Sequence, residues 1–389
     1  MVNYILATEE QKDLAMNARS ILEKYLAPRI EEFEHADDGH GVFSREILQH
    51  LVEAGYYGMG IPEEYGGLGL DLLTQAIIVE EMAKVEAGFT FSAFNAGNFF
   101  PLILKTGLSA EEKQTWADKI LAGEVMGCFA LTEPSAGSDA AAMRTTALKD
   151  GSEWVINGTK CFITNAPNAD FFLIAAWTDK EQKPSRGITF FFVEKERGVK
   201  IGKKEKKMGL KLSETSDVIL EDVRVPEDHV IGEVGRGFGA ALEVLNEDGR
   251  IMDAVCALGV GQAALDHAID YAKVRKQFGK RIIDHQGLGF LIADMQLRME
   301  SARALLYQTV DAICQGIATH HLTSSVKAYV TDSVMQVTTD AVQVFGGYGY
   351  STEYPVEKYM RDAKIFQIFG GTNQIQRMII MRDLAGKPQ

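Results

Sequence analysis

The sequence predicts an α+β fold with segregated helices and strands: a helical N-terminal domain (1–125), a middle β-barrel or β-sandwich domain (126–233) and a C-terminal four-helix bundle (234–389). Three observations predict it. The 389 residues exceed what one hydrophobic core organises, so two or three packed units are required. Apolar residues recur at helical spacing toward both ends of the chain. Between them, from about residue 126, come short β-branched and aromatic runs separated by Gly, Asn, Asp and Lys turns. Helices that flank a block of strands, instead of alternating with them, exclude a doubly wound parallel sheet.

In the first domain, Thr8-Glu9-Glu10-Gln11 forms a capping-box pattern that opens a helix carrying Leu14, Ala18, Ile21 and Leu22 on one face. Residues 61–69 hold too much Gly and Pro for a helix and read as a loop. Helices are predicted over 72–85 and 109–121, the second capped by Ser109 with Glu112 three residues on. The uncharged aromatic stretch 88–100, GFTFSAFNAGNFF, reads as a buried helix junction. Strands are predicted at 127–131, 154–157, 161–164, 171–177, 188–193 and 217–223. Long helices follow over 238–246, 251–274, 286–315 and 324–345. A last helical stretch, 360–377, is interrupted at Gly370-Gly371-Thr372, where a Gly pair lets the backbone approach a ligand and leaves N–H groups free.

Composition narrows the function classes. Hydrophobic content of 46% with 24% charged residues is that of an ordinary globular protein. A net charge of −14 leaves no basic stripe for nucleic acid and serves solubility. Cys128, Cys161, Cys256 and Cys314 are far apart, lack CxxC spacing, and read as reduced, buried thiols of a cytoplasmic protein with no metal site. No apolar run is long enough to span a bilayer and the N-terminus has no cleavable apolar region, so membrane insertion is not expected. Gly235-Arg236-Gly237-Phe238-Gly239 has the glycines of a dinucleotide fingerprint but no βαβ context, and reads as a structural turn.

The stretch MRDAKIFQIFGGTNQIQR (360–377) resembles the C-terminal signature of the acyl-CoA dehydrogenase family, RDAKI-x-QI-(Tyr/Phe)-Glu-Gly-Thr-x-x-IQR. LTEPSAGSD (131–139) is similar to that family's LTEPxAGSD segment, and GTKCFITN (158–165) to its GxKxxITN. RKQFG (275–279) with Gln286, and AVQVFGGYGYSTEYPVEK (341–358), are similar to two further family motifs in the same order. The resemblance implies bound FAD. On it, Thr132 and Thr164 donate to the flavin, Phe162 lies over its ring, and Ser138 lines the flavin and CoA region. Arg275, Phe278 and Gln286 reach the FAD of a neighbouring subunit, Gln343 and Gly347 its adenosine side, and Thr372 and Gln374 complete the set. The resemblance also implies an acyl-CoA substrate, a homotetramer built as a dimer of dimers, and electron exchange with an electron-transferring flavoprotein. Phe91 and Phe94 become the acyl-pocket wall, joined by Phe369 and Gly371. Arg250 and Glu247 join the substrate contacts, Glu247 at the pantetheine. The bulky aromatic lining implies a short or cyclic acyl group.

Family chemistry removes the α-proton of the thioester with a carboxylate at the position of Gly370, and an alternative family position, Gly249, is also empty. The backbone N–H of Gly370 remains to polarise a thioester carbonyl. Asp253 is the candidate replacement base. Its helical stripe continues through Ala257, Val260 and Ala264, so its carboxylate faces a buried cavity, with a raised pKa, or else stabilises the helix N-terminus. The expected function is an FAD-dependent acyl-CoA dehydrogenase or enoyl-CoA reductase acting on a short-chain or cyclic thioester by hydride transfer to or from flavin N5. The alternatives are a conventional short-chain enzyme inactivated by a Glu-to-Gly substitution, and a catalytically silent acyl-CoA and flavin-binding protein.

Overall fold

The computed structural model describes residues 7–237, 239 and 249–386. The helix expected over 238–246 falls outside the described residues except at Gly239, and Glu247 lies outside them altogether. The first domain contains α1 (Glu9–Tyr25), α2 (Ile30–Gly39), α3 (Arg45–Glu53), α4 (Leu72–Val85), α5 (Ala87–Gly97), α6 (Phe100–Leu104) and α7 (Ala110–Leu121). The capping boxes read from sequence are formed: Thr8 Oγ1 accepts from the Gln11 N–H at 3.2 Å, and Ser109 Oγ from the Glu112 N–H at 3.2 Å. The uncharged stretch 88–100 is more than a junction. Most of it is α5, capped by Glu86 and buried on nearly every side, as an apolar helix without a polar face must be.

The middle domain is a mixed eight-stranded sheet, ordered β6-β7-β3-β2-β4-β5-β8 with β1 on β4. Its strands are β1 (Gly127–Ala130), β2 (Thr146–Asp150), β3 (Glu153–Thr164), β4 (Phe171–Trp177), β5 (Ile188–Glu194), β6 (Lys200–Lys204), β7 (Thr215–Pro226) and β8 (Val230–Ile231). Side chains alternate across β4 and β5. Phe172, Ile174, Phe191 and Val193 join Trp154 and Ile156 of β3 and Val218 and Leu220 of β7 in a core inside the domain. Phe171, Leu173, Phe190 and Phe192 pack outward against the helical domains. Two predicted strands, 154–157 and 161–164, are one strand β3, with register shifts at Gly158 and before Ile163. The strands at β2 and β6 carry Lys and Asp instead of an apolar alternation, which is why periodicity did not disclose them.

The C-terminal helices are α8 (Arg250–Val274), α9 (Gln286–Cys314), α10 (His320–Phe345), α11 (Val356–Phe366) and α12 (Asn373–Ala385). Helix α10 packs on α8, α9, α11 and α12, so Val326, Lys327, Val330 and Val334 are buried in this bundle while Tyr329 and Gln336 stay exposed. The predicted last stretch resolves into α11 and α12, parted by a loop in which Gly370 (φ +61°) and Gly371 (φ +85°) are both left-handed. Gly235 and Gly237 serve the fold: the Gly235 N–H donates to Thr189 Oγ1 at 2.8 Å, and a side chain at Gly237 would strike the backbone of β5.

Candidate active site

The loop between α11 and α12 is held by its carbonyls. Lys327, fully buried on α10, donates through Nζ to the Gly371 carbonyl at 2.7 Å and to Asn373 Oδ1 at 3.1 Å. Gln376 Nε2 donates to the Gly371 carbonyl at 2.9 Å and the Gly370 carbonyl at 3.2 Å. Thr372 caps α12, its Oγ1 accepting from the Ile375 N–H at 3.2 Å. With both carbonyls engaged, the Gly370 N–H has no acceptor among the described residues.

Asp253 sits in the first turn of α8 and is 5% exposed. Its Oδ2 has no hydrogen-bond partner among the described residues. A Cβ added to Gly370 would overlap that Oδ2 and lie 3.0 Å from the Asp253 Cγ. The carboxyl of Asp253 therefore occupies the place where a side chain at residue 370 would begin. Burial pushes its pKa up to about 7, against the nearby positive charges of Lys327 and Arg250. Both readings of Asp253 hold in part: it is a first-turn acid, and it is aimed inward at the Gly pair.

The surrounding cations feel the same burial. Lys327 is pushed down to about 8 by burial, partly offset by Asp253, and Arg250 down to about 10 for the same two reasons. Arg250 Nη1 reaches Ser324 Oγ at 3.3 Å while its Nε has no partner among the described residues. Beside the loop, Phe91 of α5 stacks on Phe369 with centroids 4.8 Å apart, and Phe366 meets Phe91 edge-on at 6.4 Å. Phe94, one turn further along α5, is half-buried.

Other residues singled out in the sequence form two more groups. At the start of the β-domain, the Cys161 N–H donates to the Thr132 carbonyl at 2.9 Å, tying the 131–139 loop to β3. Beneath it lies a buried pair that sequence reading missed. Lys160 Nζ donates to Glu133 Oε1 at 2.8 Å and the Leu131 carbonyl at 3.2 Å. Burial pushes the Lys160 pKa down to about 8. Burial opposes ionisation of Glu133 too, but Lys160, Thr145 and the Arg144 N–H outweigh it and hold its pKa below the ordinary value. Phe162, at a left-handed φ of +56°, leaves its ring 64% exposed between strand residues that are buried. An apolar ring turned out of its sheet, flanked in sequence by Thr164 and tied through Cys161 to Thr132, fits a flat aromatic group with polar edges such as a flavin. Ser138 is exposed on the same loop.

The second group lies at the far end of α8. Arg275 lies 5.5 Å from the centroid of the Tyr348 ring, and a pocket of about 600 Å³ is lined by Arg275, Gly347, Tyr348, Tyr271 and Ser351. A guanidinium beside aromatic rings and glycine backbone fits a nucleotide's phosphate and base. Phe278 is 94% exposed at the tip of the hairpin formed by β9 (Lys276–Gln277) and β10 (Lys280–Arg281). Gln286, Gln343 and Gln374 are exposed as well.

Lys327 and Gln376 also escaped the sequence reading. A signal existed for the lysine: it shares a helical stripe with Ser324, Thr331, Val334 and Thr338, all buried, where a charge needs a reason. The buried acid itself predicts a pH effect on stability. Because the folded pKa of Asp253 lies above the ordinary 3.8, its contribution to stability is present below that value and is lost as pH rises through about 7. The displacement corresponds to roughly 4 kcal/mol at most. Chemical denaturation between pH 4 and 7.5 is expected to show this decline, and Asp253→Asn is expected to flatten it; equal slopes would contradict the buried, unpaired carboxyl.

Comparison with known proteins agrees with this architecture. The chain matches the N-terminal (8–124), middle (128–223) and C-terminal (235–385) domains of acyl-CoA dehydrogenases. It is 40% identical over 382 residues to an acyl-CoA dehydrogenase of Bacillus subtilis (strain 168), covering 97% of this chain and 99% of that one. It is 41% identical over 377 residues to the caffeyl-CoA reductase-Etf complex subunit CarC of Acetobacterium woodii, covering 96% of this chain and 97% of that one. The structure of butyryl-CoA dehydrogenase from Megasphaera elsdenii superposes with a TM-score of 0.91 at 38% identity, over 98% of this chain and 99% of that one. The fold and the site thus define an oxidoreductase acting on CH–CH groups. The chain belongs to the acyl-CoA dehydrogenase family. No described helix is long and apolar enough to cross a membrane.

Proposed function

We propose that the protein is an FAD-dependent oxidoreductase of short-chain or cyclic acyl-CoA thioesters in which Asp253, not residue 370, exchanges the proton. The observation that carries this reading is the buried Asp253 carboxyl, its Oδ2 without a partner among the described residues, in the place where a side chain on Gly370 would start. A carboxyl whose pKa is raised to about 7 is suited to take a proton in one direction and return it in the other. The Gly370 N–H, without an acceptor among the described residues, polarises the thioester carbonyl, and Lys327 and Gln376 hold the loop through the Gly370 and Gly371 carbonyls that follow it. Thr132, Phe162, Thr164, Thr372 and Gln374 hold the flavin, and Arg275, Phe278, Gln286, Gln343 and Gly347 receive a nucleotide portion from a neighbouring subunit. Flavin, when bound, supplies the hydride acceptor and donor.

The Phe91–Phe369 stack supports a short pocket. With glycine at 370, the Asp253 carboxyl itself stands beside the Phe91–Phe369 stack's end of the loop, where a side chain on residue 370 would begin. The reading extends to an electron-transferring flavoprotein as redox partner, which the caffeyl-CoA reductase relative supports. It extends also to a homotetramer: Val274, Phe278, Phe290 and Leu297 of the C-terminal domain are exposed apolar side chains that subunit contact would cover. The test is anaerobic bleaching of the bound flavin by a panel of CoA thioesters (butyryl, hexanoyl, isobutyryl and cyclohexanecarbonyl). Bleaching is expected with butyryl or cyclohexanecarbonyl thioesters and to fade with chain length. Absence of bleaching by every thioester, and of re-oxidation by the corresponding enoyl-CoA, leaves only a silent binding protein.

A further inference from the structure

Lys327 and Asp253 approach the Gly370-Gly371 loop from different helices. Asp253, on α8, is aimed at residue 370, and Lys327, on α10, holds the carbonyl of residue 371 at 2.7 Å. No ion pair closer than 4 Å joins them among the described residues, so the lysine's hydrogen bonds go to the loop and its charge remains to act on the acid. A fully buried ammonium bonded to neutral acceptors is costly, and a chain that only needed to pin a carbonyl could do so with an amide, as Gln376 does beside it.

We infer that Lys327 is a positioning residue with two linked tasks: it fixes the Gly371 carbonyl, two peptide units beyond the Gly370 N–H, and so the course of the loop that presents that N–H, and its charge favours the ionised form of Asp253. This rests on the reading of Asp253 as the proton-exchanging group. Among the described residues, the titratable and charged groups around that carboxyl are Arg250 and Cys256 from α8 and Lys327 from α10, and the loop offers only backbone there. Glu86, which acts on Cys256 from the α4–α5 junction, is paired with Lys358 at 2.8 Å. Arg250 bonds to Ser324, one turn before Lys327 on α10, so both cations are anchored to the same helix face.

The experiment compares the flavin-loaded wild type with Lys327→Met, Lys327→Gln and Asp253→Asn. Single-turnover flavin reduction by butyryl-CoA or cyclohexanecarbonyl-CoA, whichever bleaches faster, is followed from pH 5.5 to 9.5, and denaturation from pH 4 to 9 serves as a readout independent of turnover. Both Lys327 variants are expected to move the pH–rate midpoint upward by about one pH unit or more. The pH at which stability stops declining should move up with it. Glutamine, which still donates to the Gly371 carbonyl, should recover more of the limiting rate than methionine; it also carries the test if the methionine variant fails to retain flavin. Midpoints unchanged from wild type in the foldable variants, with only the rate reduced, would make Lys327 a structural peg and overturn the inference. If Asp253→Asn keeps the wild-type rate and pH limb, the underlying assignment of the acid fails instead, a result distinguishable from the first.

Discussion

Asp253→Asn is expected to slow flavin reduction by a saturated acyl-CoA roughly 10³-fold, within the range that loss of a positioned acid–base group commonly costs. Flavin content and thioester binding are expected to survive, because asparagine preserves the volume of the group and neither the Phe91–Phe369 stack nor the Lys327–Gly371 contact depends on its charge. The sign of the wild-type pH dependence follows from the same residue. Proton abstraction needs the ionised carboxylate, so dehydrogenation should rise with pH through about 7. Reduction of an enoyl-CoA needs the protonated form and should fall through the same region. Stopped-flow bleaching of the flavin measures the first, and its re-oxidation under anaerobic conditions the second. A wild-type rate in Asp253→Asn, in either direction, would remove this residue from the chemistry and leave the buried carboxyl without a function.

The order helices, sheet, helices was legible because hydrophobic period changes where the fold changes: Leu14, Ala18 and Leu22 mark a helix, and Phe171 to Trp177 a strand buried on both faces. The strands β2 and β6 were not legible, since β2 ends in Lys149 and Asp150 and β6 is mostly lysine, leaving no apolar alternation. Cys314, expected to be buried with the other thiols, is exposed at the end of α9. The candidate site was legible at its two ends, Gly370 from a break in a motif and Asp253 from its apolar stripe. What joined them was not. Nothing in the sequence indicates that residue 253 meets residue 370, because that contact is set by how α8 packs beside the α11–α12 loop. The motif residues flanking Gly370 say nothing of the space beside it. Asp253 fills the space in which a side chain on residue 370 would start. Lys160 was read only as part of a motif and Lys327 not at all, because their partners, Glu133 and the Gly371 carbonyl, are distant in sequence.

That contact changes what restoring the family's glutamate should do. Gly370→Glu alone is expected to lower activity below wild type by about 10²-fold and to destabilise the protein. The residue has φ +61°, which costs a side chain on the order of 1 kcal/mol. Its Cβ would overlap Asp253 Oδ2, so the resident carboxyl must turn away from the loop, and two acids would then compete for one buried space. Removing the obstruction changes the outcome. In Gly370→Glu combined with Asp253→Ala, the overlap is gone, one carboxylate remains, and Lys327 and Gln376 still hold the peptide that presents it. The double variant is expected to bleach its flavin with butyryl-CoA at least 10-fold faster than either single variant, the non-additivity expected of groups in direct contact. A conventional enzyme that had merely lost its base would behave otherwise: Gly370→Glu by itself would restore dehydrogenation, and Asp253→Ala would add nothing. Measuring the four bleaching rates under one set of conditions therefore decides whether Gly370 and Asp253 form one adapted unit or whether the glycine is an isolated loss.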